Sequence, residues 1–176
     1  MRWSAYLRRF YRDSTVTAML GAPDIRGRFF YNDDLSGFNF APVRVRLDQV
    51  MAELATHYNA PQPPAIYVGS TTIDTCLPGF LSENDIDLGG RDALASIWIG
   101  NATRIAAHYD LPDNLACVAA GRRRFTLFPP DQLHNLYIGP LDFTPAGQAI
   151  SLVDFKRPDL ARFPRSWFHG SPTTST

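Results

Sequence analysis

The chain has 176 residues, is 45% hydrophobic and 12% aromatic, and its 17 basic and 17 acidic side chains cancel. That length and composition fit one folded domain with a real core and exclude a disordered chain. The charge balance argues against a broad nucleic-acid or anionic-membrane surface. Two cysteines, Cys76 and Cys117, exclude a disulfide framework and point to a reducing, cytoplasmic setting.

Met1 to Asp13 mixes four arginines with aromatics and lacks a continuous apolar stretch, so no secretory signal is expected. No later run is long enough for a membrane span. Trp3, Tyr6, Leu7, Phe10 and Tyr11 recur at helical spacing and predict a short amphipathic helix. Gly21-Ala22-Pro23 and Arg26-Gly27 then punctuate short apolar pieces, among them Arg28 to Tyr31, which read as strands and turns. Leu47, Val50, Met51 and Leu54 mark a second helix. Pro61, Pro63 and Pro64 stop it before Ala65 to Val68, a predicted strand. From Ser96 the pattern becomes one of short strands, predicted at Ser96–Ile99, Arg104–Tyr109, Leu115–Ala119, Arg122–Phe128 and Ala149–Val153. Trp98 is expected in the core. Several short strands with regular turn signals indicate a sandwich or barrel.

The chemistry concentrates in one stretch. His108 and Asp110 are two residues apart. On a strand, side chains at i and i+2 share a face, so one short strand presents an imidazole and a carboxylate to the same metal ion. Two His and one carboxylate form the ligand set of non-haem Fe(II) oxygenases. Arg122, Arg123 and Arg124 follow, and strand alternation sends Arg123 to the face opposite its two neighbours. His57 and His134 read as surface or packing residues.

His108-Tyr109-Asp110, Asn114 and the run from Gly121 through Phe125-Thr126-Leu127-Phe128-Pro129-Pro130 to Gln132 together resemble the cupin-like, JmjC-type 2-oxoglutarate oxygenases of the asparaginyl hydroxylase kind. Asn135-Leu136-Tyr137, Val153-Asp154-Phe155 and Arg162-Phe163-Pro164 extend the resemblance. It implies a mainly β fold with flanking helices, built on a double-stranded β-helix (a jelly roll). It implies Fe(II) and 2-oxoglutarate, with His108 and Asp110 as metal ligands, and hydroxylation or demethylation of a protein, RNA or small-molecule substrate. By position, Arg123 matches the basic residue that grips the distal carboxylate of 2-oxoglutarate, where many members carry Lys. A guanidinium performs that task with two parallel hydrogen bonds. Tyr67 matches a tyrosine that contacts the same carboxylate, and Asn114 an active-site asparagine. A threonine common three residues before the first His is Ile105 here, with Thr103 nearby.

The pattern departs from the family at its end. The second metal His is expected on a later strand, after a Gly-Asp pair and in a Trp-Trp-His-like context. After Arg165 this chain reads Ser166-Trp167-Phe168-His169-Gly170, in which His169 mimics the motif without the strand to carry it. The expectation is therefore a partial cupin-like domain over 1–165, C-terminally incomplete, with a divergent, disordered tail over 166–176. Two functions remain open: an oxygenase or the inactive, truncated remnant of one, and a non-catalytic cupin-like binding module. An incomplete jelly roll also leaves an open sheet edge through which copies of the chain could associate.

Overall fold

Helix α2 (Leu47–Thr56) forms where its apolar residues recur at i, i+3, i+4 and i+7. Leu47, Val50, Met51 and Leu54 all face inward and are buried. Strand β1 (Thr15–Gly21) alternates instead, burying Val16 and Ala18 and exposing Thr15 and Thr17. The computed structural model describes residues 2–166 and 173–175. These divide into two compact units, Met1–Arg104 and Ile105–Thr176.

The first unit opens with helix α1 (Arg2–Arg8) and β1, followed by β2 (Arg28–Phe29), β3 (Phe40–Arg46), α2 and β4 (Ala65–Thr72). Two single-turn helices, α3 (Ile73–Cys76) and α4 (Phe80–Glu83), lead to β5 (Ser96–Gly100) and β6 (Arg104–Ile105). Four strands make an antiparallel sheet in the order β3-β1-β4-β5. Its register pairs Val16 with Val45, Ala18 with Val68 and Val68 with Ile99, which puts these residues on one face. On that face they join Leu7, Phe10, Met51, Ile73, Leu77 and Phe80 in a single core. The opposite face carries Thr17, Met19, Arg44 and Tyr67, because Met19 pairs with Tyr67 and Thr17 with Arg44. Trp98 alternates with Ile97 and Ile99 and is 44% exposed. It is therefore not a core residue: the strand's two-residue period turns it away from the helices.

Asn101 closes the end of β5. Its amide donates to the Pro64 carbonyl at 2.7 Å, and its side-chain oxygen accepts the Ile66 N–H at 3.1 Å. Asn39 clamps its own loop in the same way, accepting from Phe30 N–H and donating to the Arg28 carbonyl, both at 2.9 Å.

The second unit has little regular structure. Strand β7 (Phe125–Leu127) pairs antiparallel with β8 (Thr173–Ser175), so part of the tail expected to be disordered is a strand. A single bridge joins Ile138 to Ser151. Four predicted strands are corrected here: Ala149–Val153 forms only the bridge at Ser151, and the other three shrink or vanish. Arg104–Tyr109 is a strand only over Arg104–Ile105, Arg122–Phe128 only over Phe125–Leu127, and Leu115–Ala119 is none. Residues 111 to 120 are all exposed, so no burial rewards their pairing. The molecule is mainly β with flanking helices. Its described strands build one four-stranded sheet and two short ladders, and not the paired four-stranded sheets expected of a jelly roll. His169 and Trp167 lie outside the described residues. No described helix is long and apolar enough to cross a membrane.

Candidate metal centre

Ser151 is the buried pin of this region. Its N–H donates to the Ala107 carbonyl at 2.8 Å, and its hydroxyl bonds the Leu136 carbonyl. On either side of it, Gly139 N–H donates to Ile150 and Leu152 N–H to Tyr137, both at 2.9 Å. Three segments, 106–110, 136–139 and 150–153, are thereby tied together within the second unit. Ala106, Ile150 and Val153 are buried, and His108 leaves from an anchored backbone.

The geometry at His108 selects a tautomer. Nδ1 lies 2.8 Å from the Ala106 carbonyl. A carbonyl only accepts, so Nδ1 carries the proton and Nε2 of the neutral ring keeps its lone pair. That nitrogen faces Asp110, with Nε2 and Oδ1 3.9 Å apart. Two ligand bonds of about 2 Å each span such a gap only at a wide angle, so a small movement that brings the two atoms closer would let them share one ion in a tetrahedral or octahedral set. His108 is 26% and Asp110 46% exposed at the side chain, so an ion reaches both from solvent. This closeness does not come from a shared strand, since residues 106 to 110 carry no strand. A separation of two residues keeps the groups within reach of each other in an irregular backbone as well.

Asp110 is held at both oxygens. Asn114 donates to Oδ2 at 2.9 Å, and Gln148 donates to Oδ1 at 3.3 Å. Asn114, read from the sequence as a cofactor contact, thus touches the carboxylate itself. Gln148 was not anticipated. It lies 38 residues away, and no local pattern links the two. Arg122, Arg123 and Arg124 are all exposed and precede β7, so alternation does not separate them and Arg123 is not enclosed with His108. The Arg123 guanidinium stands 5.5 Å from the Phe125 ring centre. Tyr67 belongs to the first unit, half-buried on β4, with its ring 5.8 Å from that of Phe29. Among the described residues no third His, Cys, Asp or Glu joins the pair as a ligand cluster.

An imidazole lone pair facing a braced carboxylate is a pair of metal-donor groups. The family model described as a cupin-like domain matches residues 1–173, and the chain belongs to that family. The JmjC-type likeness has a specific relative as well. Lysine-specific demethylase JMJ31 of Arabidopsis thaliana is 35% identical over 77 residues, which cover 42% of this chain. The match takes in only 14% of the demethylase's own length.

Proposed function

We propose that this chain carries the Fe(II)- and 2-oxoglutarate-dependent oxygenase site of its JmjC-type lineage, on a jelly-roll scaffold of which the described strands are a part. The observation that carries the proposal is the His108–Asp110 pair, with Nε2 freed by the Ala106 hydrogen bond and facing Oδ1 at 3.9 Å. His108 Nε2 and Asp110 Oδ1 would hold the metal, and Asn114 keeps the carboxylate turned toward it. Arg123, which lies in the same unit as the pair, is the residue proposed to bind the distal carboxylate of 2-oxoglutarate, through a charge-assisted pair. When bound, the metal and 2-oxoglutarate would activate dioxygen, one oxygen atom oxidising the cosubstrate to succinate and carbon dioxide and the other hydroxylating a C–H bond. The demethylase relative suggests an N-methylated lysine as one substrate, beside hydroxylation of a protein, RNA or small molecule.

The test is an anaerobic Fe(II) titration followed by admission of oxygen, with succinate formed from 2-oxoglutarate as readout. Metal-dependent succinate formation is expected, and His108→Ala should abolish it. Arg123→Ala should weaken 2-oxoglutarate binding roughly tenfold or more, the worth of a hydrogen bond to a charged group. Unchanged cosubstrate affinity would remove Arg123 from the site. A second reading, a non-catalytic cupin-like binding module, has its own support. Tyr109, Leu111 and Leu115, beside the pair, are 66%, 92% and 68% exposed, and such apolar side chains suit a macromolecular partner. Metal binding without any succinate would favour that module.

A further inference from the structure

The Ser151–Ala107 hydrogen bond sets a register that extends beyond itself. The segments run antiparallel, so three residues onward from Ala107 is Asp110 and three residues back from Ser151 is Gln148. The side-chain contact falls at that position: Gln148 Nε2 donates to Asp110 Oδ1 at 3.3 Å. The approach of Gln148 is itself built. Gly147 sits at φ +94 and donates its N–H to the Thr144 hydroxyl at 2.8 Å, which turns the chain just before Gln148. Ile150 and Ser151, both buried, anchor it just after. Asn114 is local to Asp110 and travels with it, whereas Gln148 belongs to a different segment and refers the carboxylate to the buried pin.

We propose that Gln148 is a positioning residue of the metal centre: its amide fixes the Asp110 oxygen that faces His108 Nε2. This rests on reading His108 and Asp110 as metal ligands. The physical basis is general. Groups that hydrogen-bond a metal-bound carboxylate orient it, and their loss typically weakens metal binding about 10- to 100-fold. Gln148 needs its donor, not its bulk, so shape-matched replacements separate the two roles.

The experiment titrates the full chain with Co(II) alone, following affinity and the visible absorption of the bound ion, for wild type, Asp110→Ala, Gln148→Met and Gln148→Glu. Thermal unfolding of the metal-free proteins runs alongside. Wild type should bind and Asp110→Ala should not. Gln148→Met should bind about tenfold or more weakly with an altered absorption spectrum and an unchanged melting temperature. Gln148→Glu, which matches the shape but presents an acceptor to Oδ1, should perturb the spectrum as well. If Asp110→Ala abolishes binding while both Gln148 variants keep wild-type affinity and spectrum, the positioning role is overturned and the metal centre stands. If wild type does not bind Co(II), or Asp110→Ala binds as wild type does, the metal centre itself falls and the role of Gln148 with it. A merely structural Gln148 would lower the melting temperature without changing the spectrum, which also overturns the proposal.

Discussion

At the scale of single residues, backbone shape matters as much as chemistry. Gly27 has φ +76, and a Cβ built there would overlap the Ala102 carbonyl oxygen. Its own carbonyl accepts the Arg104 N–H at 2.7 Å, so the close approach secures the start of β6. Gly121 has a similar φ of +81 but open space where a Cβ would go. Gly27→Ala should therefore cost more than Gly121→Ala. Backbone strain of this kind is worth about 1–3 kcal/mol, and only Gly27 adds a steric clash to it. Urea midpoints of the two variants check this, and equal shifts would mean that the Ala102 contact relaxes freely. His108 shows the same economy of means, since one hydrogen bond to a neighbouring carbonyl decides which ring nitrogen is available.

At the scale of elements, the start of α2 is a small electrostatic device. Arg46 meets both oxygens of Asp48, at 3.1 and 2.8 Å, and the Tyr11 hydroxyl donates to the same carboxylate at 3.1 Å. The Arg46 hydrogen bonds, with help from Tyr11, hold the Asp48 carboxyl below its usual range, and a carboxylate in the first turn also favours the helix dipole. A carboxyl lowered in the folded state contributes stability above its unfolded pKa of about 3.9 and loses it as pH falls through the lowered folded value. Asp48→Asn should therefore be less stable than wild type near neutrality, with the gap closing in acid. Urea unfolding at a series of pH values down to the acid limb measures it. A gap that persists unchanged at low pH would show that the carboxylate charge is not the source.

At the scale of the whole molecule, the first unit holds a complete hydrophobic system. Its four-stranded sheet, α2 and the flanking short helices share one core built from Leu7 through Ile99, with Leu47 and Met51 fully buried. A fragment of residues 1–104 should fold by itself, giving dispersed amide resonances and a cooperative urea transition. A chain without such a transition would show that this core needs the second unit. The second unit presents a different surface, with Leu111, Leu115, Val118 and Leu141 half or more exposed. The β3 edge carries Pro42 and the charges of Arg44 and Arg46, features that oppose strand addition.

Much was legible in the sequence because its physical cause is local. Helix α2 follows from a 3.6-residue period in ten residues, and the burial of Val16 and Ala18 from a two-residue alternation. The meeting of His108 and Asp110 follows from a separation so short that it survives the loss of the strand expected to carry it. The family was legible in the run from His108 to Gln132. Tertiary structure decided whatever depends on a distant partner. A strand exists only where another pairs with it, so β6 stops at Ile105 and Leu115–Ala119 stays irregular despite its composition. The exposure of Arg123 depends on where β7 begins, which is where β8 can reach it. Gln148 meets Asp110 only because a hydrogen bond between Ser151 and Ala107 sets their register, and no periodicity within either segment encodes a bond between them.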